Sequence, residues 1–329
     1  MSALDRNTSA AERDAIAPSN LHHVLETAAA DHVGGRDEQQ DRVAVLRADG
    51  TALLVVADGL GGHRGGAMAA QEVIDTASEA WRAAGQPIGE AAAFLGGIRD
   101  RAHQRIVETC RRKGLQPMST CNLLLMDGTM ATWIYVGDSR LYRFRGKDLI
   151  ERTRDHSMAQ ALLELGEIDE AEMAVRPEQT QLLSVLGADE DPEVAGGEAA
   201  IVAGDGYVIC TDGMWETVKP KEMAAALAAP SLEKAAHDLV TTAVERGGPS
   251  GDNVGVAMAR VVGPPAGLGQ QVMTGAEQAW NFLSAPVRFA ERLVGGLQRK
   301  PDHASDRPAS DEQSESEPVE PAPDNRGRS

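Results

Sequence analysis

The amino-acid sequence predicts an α+β fold in which antiparallel sheets are covered by helices. Two observations lead to this fold class. Strand-like apolar runs follow one another at hairpin-like spacing, and the long helical patterns come in adjacent pairs. Regular alternation of strands and helices would instead favour a parallel sheet. We therefore expect one core with appended segments.

Seven strands are predicted from aliphatic and β-branched runs bounded by turn-forming residues. They cover residues 42–47, 52–57, 120–127, 131–137, 140–145, 207–211 and 253–262. Paired helices are predicted at about 66–84 and 89–112, and again at about 221–228 and 231–246. Residues 156–198 combine short helical patterns with an acidic, Gly-rich stretch, and we expect them to form an insertion over a site.

The two ends of the chain differ from this core in composition. Residues 1–21 are polar and rich in Ala and Ser, which predicts a flexible lead-in. The segment 264–300 carries apolar residues at helical spacing, so packing on the domain, docking to a partner and interfacial membrane contact all remain open for it. Residues 301–329 are acidic and almost free of apolar residues, as is typical of a disordered tail.

Charge and cysteine content argue against several classes of protein. A net charge of −18 opposes binding to nucleic acid or to an anionic membrane, which both depend on clustered Lys and Arg. Cys110, Cys121 and Cys210 show no CxxC spacing and are predicted to be reduced core residues. The sequence shows no secretory signal and no apolar run of the about 20 residues that span a bilayer. We therefore expect a cytoplasmic protein.

Four aspartates stand at the ends of predicted strands. Asp58 separates the run "LLVVA" from a glycine-rich turn that lacks both the Walker pattern and the dinucleotide pattern of phosphate-binding loops. Asp138, Asp212 and Asp252 also lie beside predicted strands, each next to Gly or Asn. Turn formation explains any one of them. Four in one domain favour a shared role.

If strand ends from facing sheets meet, these carboxylates occupy one small volume. Their repulsion would raise their pKa values unless cations neutralise them. Oxygen ligands without His or Cys at zinc-like spacing favour Mg²⁺ or Mn²⁺. Two such ions about 3.5 to 4 Å apart can activate a bridging water and hold a phosphoryl group. Covalent catalysis is disfavoured because neither a GxSxG elbow nor a Cys–His pairing is evident.

Five segments occur in a specific order: "VADGLGGH" (56–63), "VGDSRLY" (136–142), "TRDHS" (153–157), "CTDGMWE" (210–216) and "SGDNVGV" (250–256). This series resembles the motifs of the metal-dependent protein phosphatases of type 2C, in their bacterial form. The resemblance implies a phosphatase domain over residues 22–263. Its fold would be a four-layer α-β-β-α sandwich with two central antiparallel sheets and a flap at about 156–198.

The resemblance also implies a dinuclear Mg²⁺/Mn²⁺ centre and hydrolysis of phosphoserine and phosphothreonine by a metal-activated water. Asp58 resembles the carboxylate that bridges both ions, with the Gly59 carbonyl completing the shell of the second. Asp212 and Asp252 resemble the remaining ligands of the first ion. Asp138, together with Asp212, resembles the site of a third ion that bacterial members hold more weakly.

An upstream stretch, "GGRDEQQDRV", is similar to the opening motif of the same family. Arg36 would then be the phosphate clamp, because a guanidinium group can hold two phosphate oxygens. The alternative is a solvent-exposed loop arginine. Asp41 matches the aspartate of the motif, whereas Gln40 stands where many members have glutamate and offers less charge to the second metal. Glu216 is expected to support the third ion through water.

Two histidines and a group of acidic residues complete the candidate set. His63 and His156 could serve as general acids. We expect structural roles instead, because His63 lies five residues beyond Asp58 and the "RDHS" motif shapes a loop before the flap. Acidic residues in the flap predict substrates with basic surroundings; they are Glu164, Glu167, Asp169, Glu170 and Glu172.

These motifs predict a cytoplasmic, monomeric phosphoprotein phosphatase with Arg36 and Asp58 as catalytic residues. Its partners would be phosphorylated proteins, including a Ser/Thr kinase that it opposes and the substrates of that kinase. The alternative is a non-catalytic or weakly active phosphoprotein-binding module on the same fold. Loss of Asp58, Asp212 or Asp252 would favour the module, and all three are present. A regulator of an anti-sigma or secretion pathway would differ in substrate rather than in reaction.

Overall fold

The computed structural model describes residues 24–60, 65–85, 87–114, 116–173 and 181–263. The predicted lead-in 1–21, the amphipathic segment 264–300, the acidic tail 301–329 and His63 lie outside the described residues.

The strands of the described chain cover all seven of the predicted ones and add others. They are β1 (Val24–His32), β2 (Arg42–Ala48), β3 (Thr51–Ala57), β4 (Gly59–Leu60), β5 (Met118–Ser119), β6 (Cys121–Met126), β7 (Met130–Val136), β8 (Arg140–Arg145), β9 (Asp148–Arg152), β10 (Ala195–Ala200), β11 (Asp205–Cys210) and β12 (Val254–Val262). The helices are α1 (Gly65–Ala83), α2 (Ala91–Lys113), α3 (Met158–Glu164), α4 (Glu170–Met173), α5 (Asp212–Trp215), α6 (Pro220–Leu227) and α7 (Leu232–Gly247).

The strands form two five-stranded antiparallel sheets. Sheet A has the order β1-β12-β11-β8-β9, and sheet B has the order β10-β7-β6-β3-β2. The short strands β4 and β5 pair separately. This arrangement confirms the predicted antiparallel sheets.

Three apolar layers hold the sandwich together. Leu53 and Val55 of β3 pack with helices α1 and α2 on the outer face of sheet B. Leu54 and Val56 point the other way and pack between the two sheets, because successive side chains of a strand alternate in direction. A third layer joins sheet A to α5, α6 and α7. The α-β-β-α order predicted from the resemblance is confirmed.

Three strands of five or more residues, β1, β9 and β10, were not predicted from the sequence. The alanine-rich β1 and the Gly/Ala-rich β10 have low intrinsic strand preference, and their pairing with β12 and β7 makes them strands. In β10, Gly197 leaves room for the ring of Trp133. Because β10 is part of sheet B, the span 156–198 expected for the flap includes residues of the sheet.

The two cysteines whose side chains the structure describes are core residues, as the sequence predicts. Cys121 and Cys210 are buried free thiols, and burial raises the pKa of Cys121 to about 12. The side chain of Cys110 lies outside the described part. Among the helices of the described ranges, none is both long enough and apolar enough to cross a bilayer.

Candidate active site

The strand register brings the predicted aspartates to one end of the sandwich. Asp58 follows β3 and Asp41 precedes β2, and these strands pair through Arg42 and Ala57. In sheet A, Asp212 follows β11 and Asp252 lies two residues before β12, where Cys210 pairs with Val256. Asp138 lies between β7 of one sheet and β8 of the other. Both sheets therefore contribute carboxyl groups to the same edge.

Asp58 and Asp41 form the inner part of this group. Asp41 is only 1% exposed, and its carboxyl lies close enough to that of Asp58 for each to influence the pKa of the other. Burial raises the pKa of Asp58 well above its usual value, and the charges of Asp41, Asp212 and Asp138 raise it further. The pKa of Asp41 is raised in the same way, by burial first and then by Asp212. Thr211 Oγ1 opposes this by donating a hydrogen bond to Asp41 Oδ2 (2.7 Å).

Asp212 and Asp252 form the part of the site on sheet A. The pKa of Asp212 is raised to about 7 by burial and then by the charges of Asp252 and Glu216. Arg36 forms an ion pair with Asp252, with 2.7 Å between Nη2 and Oδ2, and 57% of the Arg36 side chain is exposed. The predicted clamp residue therefore lies at the rim of the carboxyl group cluster and is held by one of its members.

Asp138 is the fifth carboxyl group of the cluster. It is 6% exposed, and its Oδ1 is buried without a hydrogen-bond partner among the described residues. Burial raises its pKa well above the usual value, and the charges of Asp212 and Asp155 add to the effect. A buried carboxylate oxygen without a hydrogen-bond partner is costly, and this position suits coordination of a cation.

Gln40 and the Gly59 carbonyl lie against the first turn of α1. A Cβ added to Gly66 would collide with the Gly59 carbonyl oxygen and would come within 2.8 Å of Gln40 Oε1. Both oxygens therefore lie close to Gly66. The side-chain amide nitrogen of Gln40 donates to Glu38 Oε2 (3.2 Å). The Glu38 carboxylate therefore lies next to the Gln40 amide.

These residues fit hard divalent cations. Among the described residues, no three carboxyl, His or Cys side chains have the arrangement of a filled metal site. The donors are nevertheless oxygens, the carboxyl groups raise one another's pKa values, and Asp138 Oδ1 has no partner in the described chain. Mg²⁺ and Mn²⁺ suit such donors.

Two threonines that the sequence did not single out position the acidic residues. Thr120 Oγ1 accepts from the Asp58 N–H (2.9 Å) and shares a hydrogen bond with Ser139 Oγ (2.8 Å). Thr211 Oγ1 accepts from the Gly255 N–H (2.9 Å) while donating to Asp41. The only sequence signal was their place beside the motifs, because their partners lie far away in the chain.

His156 has a structural role, as expected. It is 5% exposed and stacks on Tyr135, with 5.0 Å between ring centroids. Its Nδ1 accepts from the Gly137 N–H (3.2 Å), and the main-chain N–H of His156 donates to the Gly137 carbonyl (2.9 Å). Burial lowers its pKa to about 4, so the ring is uncharged at neutral pH. It carries no imidazolium proton for general acid catalysis.

The acidic residues of the flap are partly engaged in local hydrogen bonds. Glu164 accepts from Gln160 (3.1 Å) and Arg154 (3.4 Å). Asp169 and Glu172 cap α4 reciprocally, each accepting from the main-chain N–H of the other. The preference for basic substrates stays a prediction, and among these residues Glu164 is paired with an arginine.

The family model for Protein phosphatase 2C matches residues 30–245, which is more than half of the chain. This chain belongs to the protein phosphatase 2C family. The matched range contains Arg36, Asp41, Asp58, Asp138 and Asp212, and Asp252 follows just beyond it.

Two bacterial serine/threonine phosphatases are similar to this chain. The chain is 33% identical over 255 residues to the serine/threonine protein phosphatase PstP of Mycobacterium tuberculosis, covering 76% of this chain and 48% of PstP. It is 30% identical over 222 residues to the serine/threonine phosphatase stp of Listeria welshimeri, covering 64% of this chain and 84% of that protein. The chain thus spans about half the length of PstP.

A solved structure of the PstP catalytic domain in complex with two manganese ions shares the fold. Its TM-score is 0.62 at 30% identity, and the match covers 72% of this chain and 98% of that one. The fold class inferred from the strand pattern is therefore confirmed independently.

Proposed function

We propose that this chain is a Mg²⁺- or Mn²⁺-dependent phosphatase that hydrolyses phosphoserine and phosphothreonine in proteins. The observation that carries the proposal is the mutual electrostatic influence of Asp41, Asp58, Asp138, Asp212 and Asp252 at one end of the sandwich. Such a cluster of buried carboxyl groups is costly by itself and becomes favourable when cations are bound.

The residues divide into ligands and a clamp. Asp58, Asp212 and Asp252 would hold two ions together with the Gly59 carbonyl, while Gln40 and Asp41 support the same region. Asp138 would hold a third ion. Bound Mg²⁺ or Mn²⁺ supplies charge to polarise phosphoryl oxygens and lowers the pKa of a coordinated water.

Arg36 is the residue that would orient the substrate. Its exposed guanidinium can turn from Asp252 to a phosphate group and offer two parallel N–H donors. Its position at the rim would place the phosphoryl group between the carboxyl cluster and solvent. We expect loss of Arg36 to weaken substrate binding more than metal binding.

Other nucleophiles and acids are poorly suited to the reaction. Cys121 and Cys210 are buried, and burial raises the pKa of both thiols, which suppresses the reactive thiolate. His156 is uncharged and faces Gly137. A water nucleophile therefore agrees best with the chemistry of the described residues.

We further propose that the substrates are phosphorylated proteins in the cytoplasm, including a Ser/Thr kinase and the proteins it modifies, and that the enzyme acts as a monomer. The names of the PstP and stp relatives as serine/threonine phosphatases support this substrate class.

Phosphate release from an aryl phosphate and from a phosphothreonine peptide tests the reaction. We expect turnover with Mn²⁺ or Mg²⁺, none with a chelator, and a loss of at least about 100-fold in Asp212→Asn, because a ligand to the cations is removed. Asp238→Asn is the matched control, since Asp238 is an exposed residue of α7. Chelator-resistant turnover, or full activity of Asp212→Asn, would contradict the proposal.

A titration of phosphothreonine-peptide binding, run beside the phosphate-release assay, separates the phosphatase from a binding module. Gln40, in place of the usual glutamate of the family, is the observation that favours weaker activity. Saturable binding of the phosphothreonine peptide without phosphate release, at any Mn²⁺ concentration, would identify the chain as a phosphoprotein-binding module.

A further inference from the structure

Trp215 connects the two halves of the carboxyl cluster. It is the last residue of α5, the short helix that begins at Asp212. Its indole Nε1–H donates a hydrogen bond to the main-chain carbonyl of Asp138 (3.0 Å), 77 residues earlier in the chain. Helix α5 therefore has one acidic residue of the site, Asp212, at its start, and at its end Trp215 bonds to the main chain of another, Asp138.

A buried ion pair fixes the indole ring in place. The Arg140 guanidinium lies over the Trp215 ring, 3.5 Å from its centroid. Arg140 in turn makes two hydrogen bonds to Asp155, at 2.8 Å and 2.6 Å, and both side chains are almost fully buried. Cation–π contact and a bidentate pair together restrict the ring to one orientation. The Nε1–H is thus aimed at Asp138 before any ligand binds.

The neighbouring backbone is held from the other sides. His156 engages both the N–H and the carbonyl of Gly137. Gly137 has a φ of +101°, and a Cβ there would come within 2.6 Å of the Thr120 methyl group. Asn122 donates to the Ser139 carbonyl (3.1 Å). The main chain on both sides of Asp138 is therefore fixed, while its Oδ1 has no partner within the described chain.

We propose that Trp215 is a positioning residue that holds the Asp138 backbone so that the Asp138 carboxylate faces the metal centre. This inference rests on the proposed function, since it concerns the same site. Trp215 touches neither substrate nor ion and acts through the Asp138 carbonyl. The weakest-held cation, the one assigned to Asp138, depends on this hydrogen bond.

The test is Trp215→Phe, which keeps an aromatic ring under Arg140 and removes the N–H donor together with the five-membered part of the indole. Mn²⁺ is titrated into the metal-free protein, and free Mn²⁺ is measured by electron paramagnetic resonance. We expect the weakest Mn²⁺ dissociation constant to rise about three- to tenfold, the effect of losing one neutral hydrogen bond. The tighter Mn²⁺ sites are unchanged, and turnover recovers at saturating Mn²⁺.

Two further variants make the result specific. Trp81→Phe is the matched control, because Trp81 belongs to α1 and packs on the core behind sheet B. It should bind Mn²⁺ like the unmodified protein. Asp138→Asn should weaken the same Mn²⁺ site, and Trp215→Phe should then add nothing, because a positioning residue acts only through the group it positions.

Three outcomes would overturn the inference. The first is an unchanged Mn²⁺ isotherm in Trp215→Phe. The second is full additivity of the effects of Trp215→Phe and Asp138→Asn on Mn²⁺ binding. The third is loss of cooperative urea unfolding in Trp215→Phe but not in Trp81→Phe, which would assign the ring a packing role. Failure of the proposed function looks different. In that case the unmodified protein binds Mn²⁺, and Trp215→Phe weakens that binding, yet neither releases phosphate from the phosphothreonine peptide.

Discussion

Individual carboxyl groups of this site oppose folding when no cation is bound. Burial raises the pKa values of Asp41, Asp58 and Asp138 well above the usual range, and raises that of Asp212 to about 7. A carboxyl group whose pKa is higher in the folded state binds more protons when folded than when unfolded. The free energy of unfolding therefore falls as pH rises through the interval between the two pKa values. Residues that would bind the ions thus reduce stability at neutral pH.

Asp212→Asn should therefore stabilise the chelator-treated protein while abolishing activity. The amide has no charge to repel its neighbours, and its oxygen can still accept from the Gly213 N–H, as Asp212 Oδ1 does at 2.7 Å. We expect the gain in unfolding free energy to grow from about pH 4 to about pH 7, between the unfolded and folded pKa values of Asp212, and to reach on the order of 2 kcal/mol. Urea unfolding at each pH measures it.

The exposed Asp238→Asn serves as the control and should show no comparable pH-dependent gain. A lower unfolding free energy for Asp212→Asn at about pH 8 would show that hydrogen bonding at this position outweighs the repulsion.

Helix α1 illustrates how an element is placed by its first residues. It begins at Gly65 and Gly66, both buried, next to the β4–β5 pair and the end of β3. The missing side chain at Gly66 lets the helix approach the Gly59 carbonyl and Gln40 closely. Intrinsic helix preference opposes glycine here. Close packing at the site outweighs that preference.

Gly66→Ala should consequently reduce both stability and phosphate release. The added methyl group collides with the Gly59 carbonyl and crowds Gln40, which we expect to cost about 1 to 3 kcal/mol. Gly97→Ala is the matched change inside α2, where a Cβ would meet nothing within 4 Å. There the same methyl group should stabilise the protein by up to about 1 kcal/mol. Thermal unfolding and phosphate release with Mn²⁺ compare the two variants, and equal effects would contradict this account of α1.

At the scale of the molecule, the sandwich is closed by its first and last described strands. All nine residues of β1 pair with β12, and β12 lies between β1 and β11 within sheet A. Arg260 of β12 also forms an ion pair with Glu26 of β1. Every strand pairing of the described chain is complete by Val262.

A chain ending at Gly263 should therefore keep its unfolding temperature and its phosphatase activity. A chain ending at Gly255 should fail to fold, because it removes most of β12 and leaves β1 and β11 without their shared partner. Circular dichroism during heating and phosphate release with Mn²⁺ measure both effects. Loss of activity in the chain ending at Gly263, with its unfolding temperature unchanged, would assign a catalytic or regulatory role to residues 264–329.

The sequence by itself determined the elements whose patterns are local. The apolar alternation of β3, the long amphipathic helices and the aspartates beside turns can each be identified within a few residues of chain. The ordered motifs then linked Asp58, Asp138, Asp212 and Asp252 to one chemistry. The inner strands of both sheets and the main acidic residues of the site were predictable for this reason.

Only the tertiary structure decided how those residues are supported. Strand β10 exists because β7 lies beside it, and Trp215 reaches Asp138 across 77 residues of sequence. Thr120 holds the Asp58 N–H across 62 residues. Such hydrogen bonds depend on which strand ends meet, and no spacing in the sequence encodes that. The acidic residues of the site are thus visible in the chain, whereas the groups that hold them in place appear only after the sheets have formed.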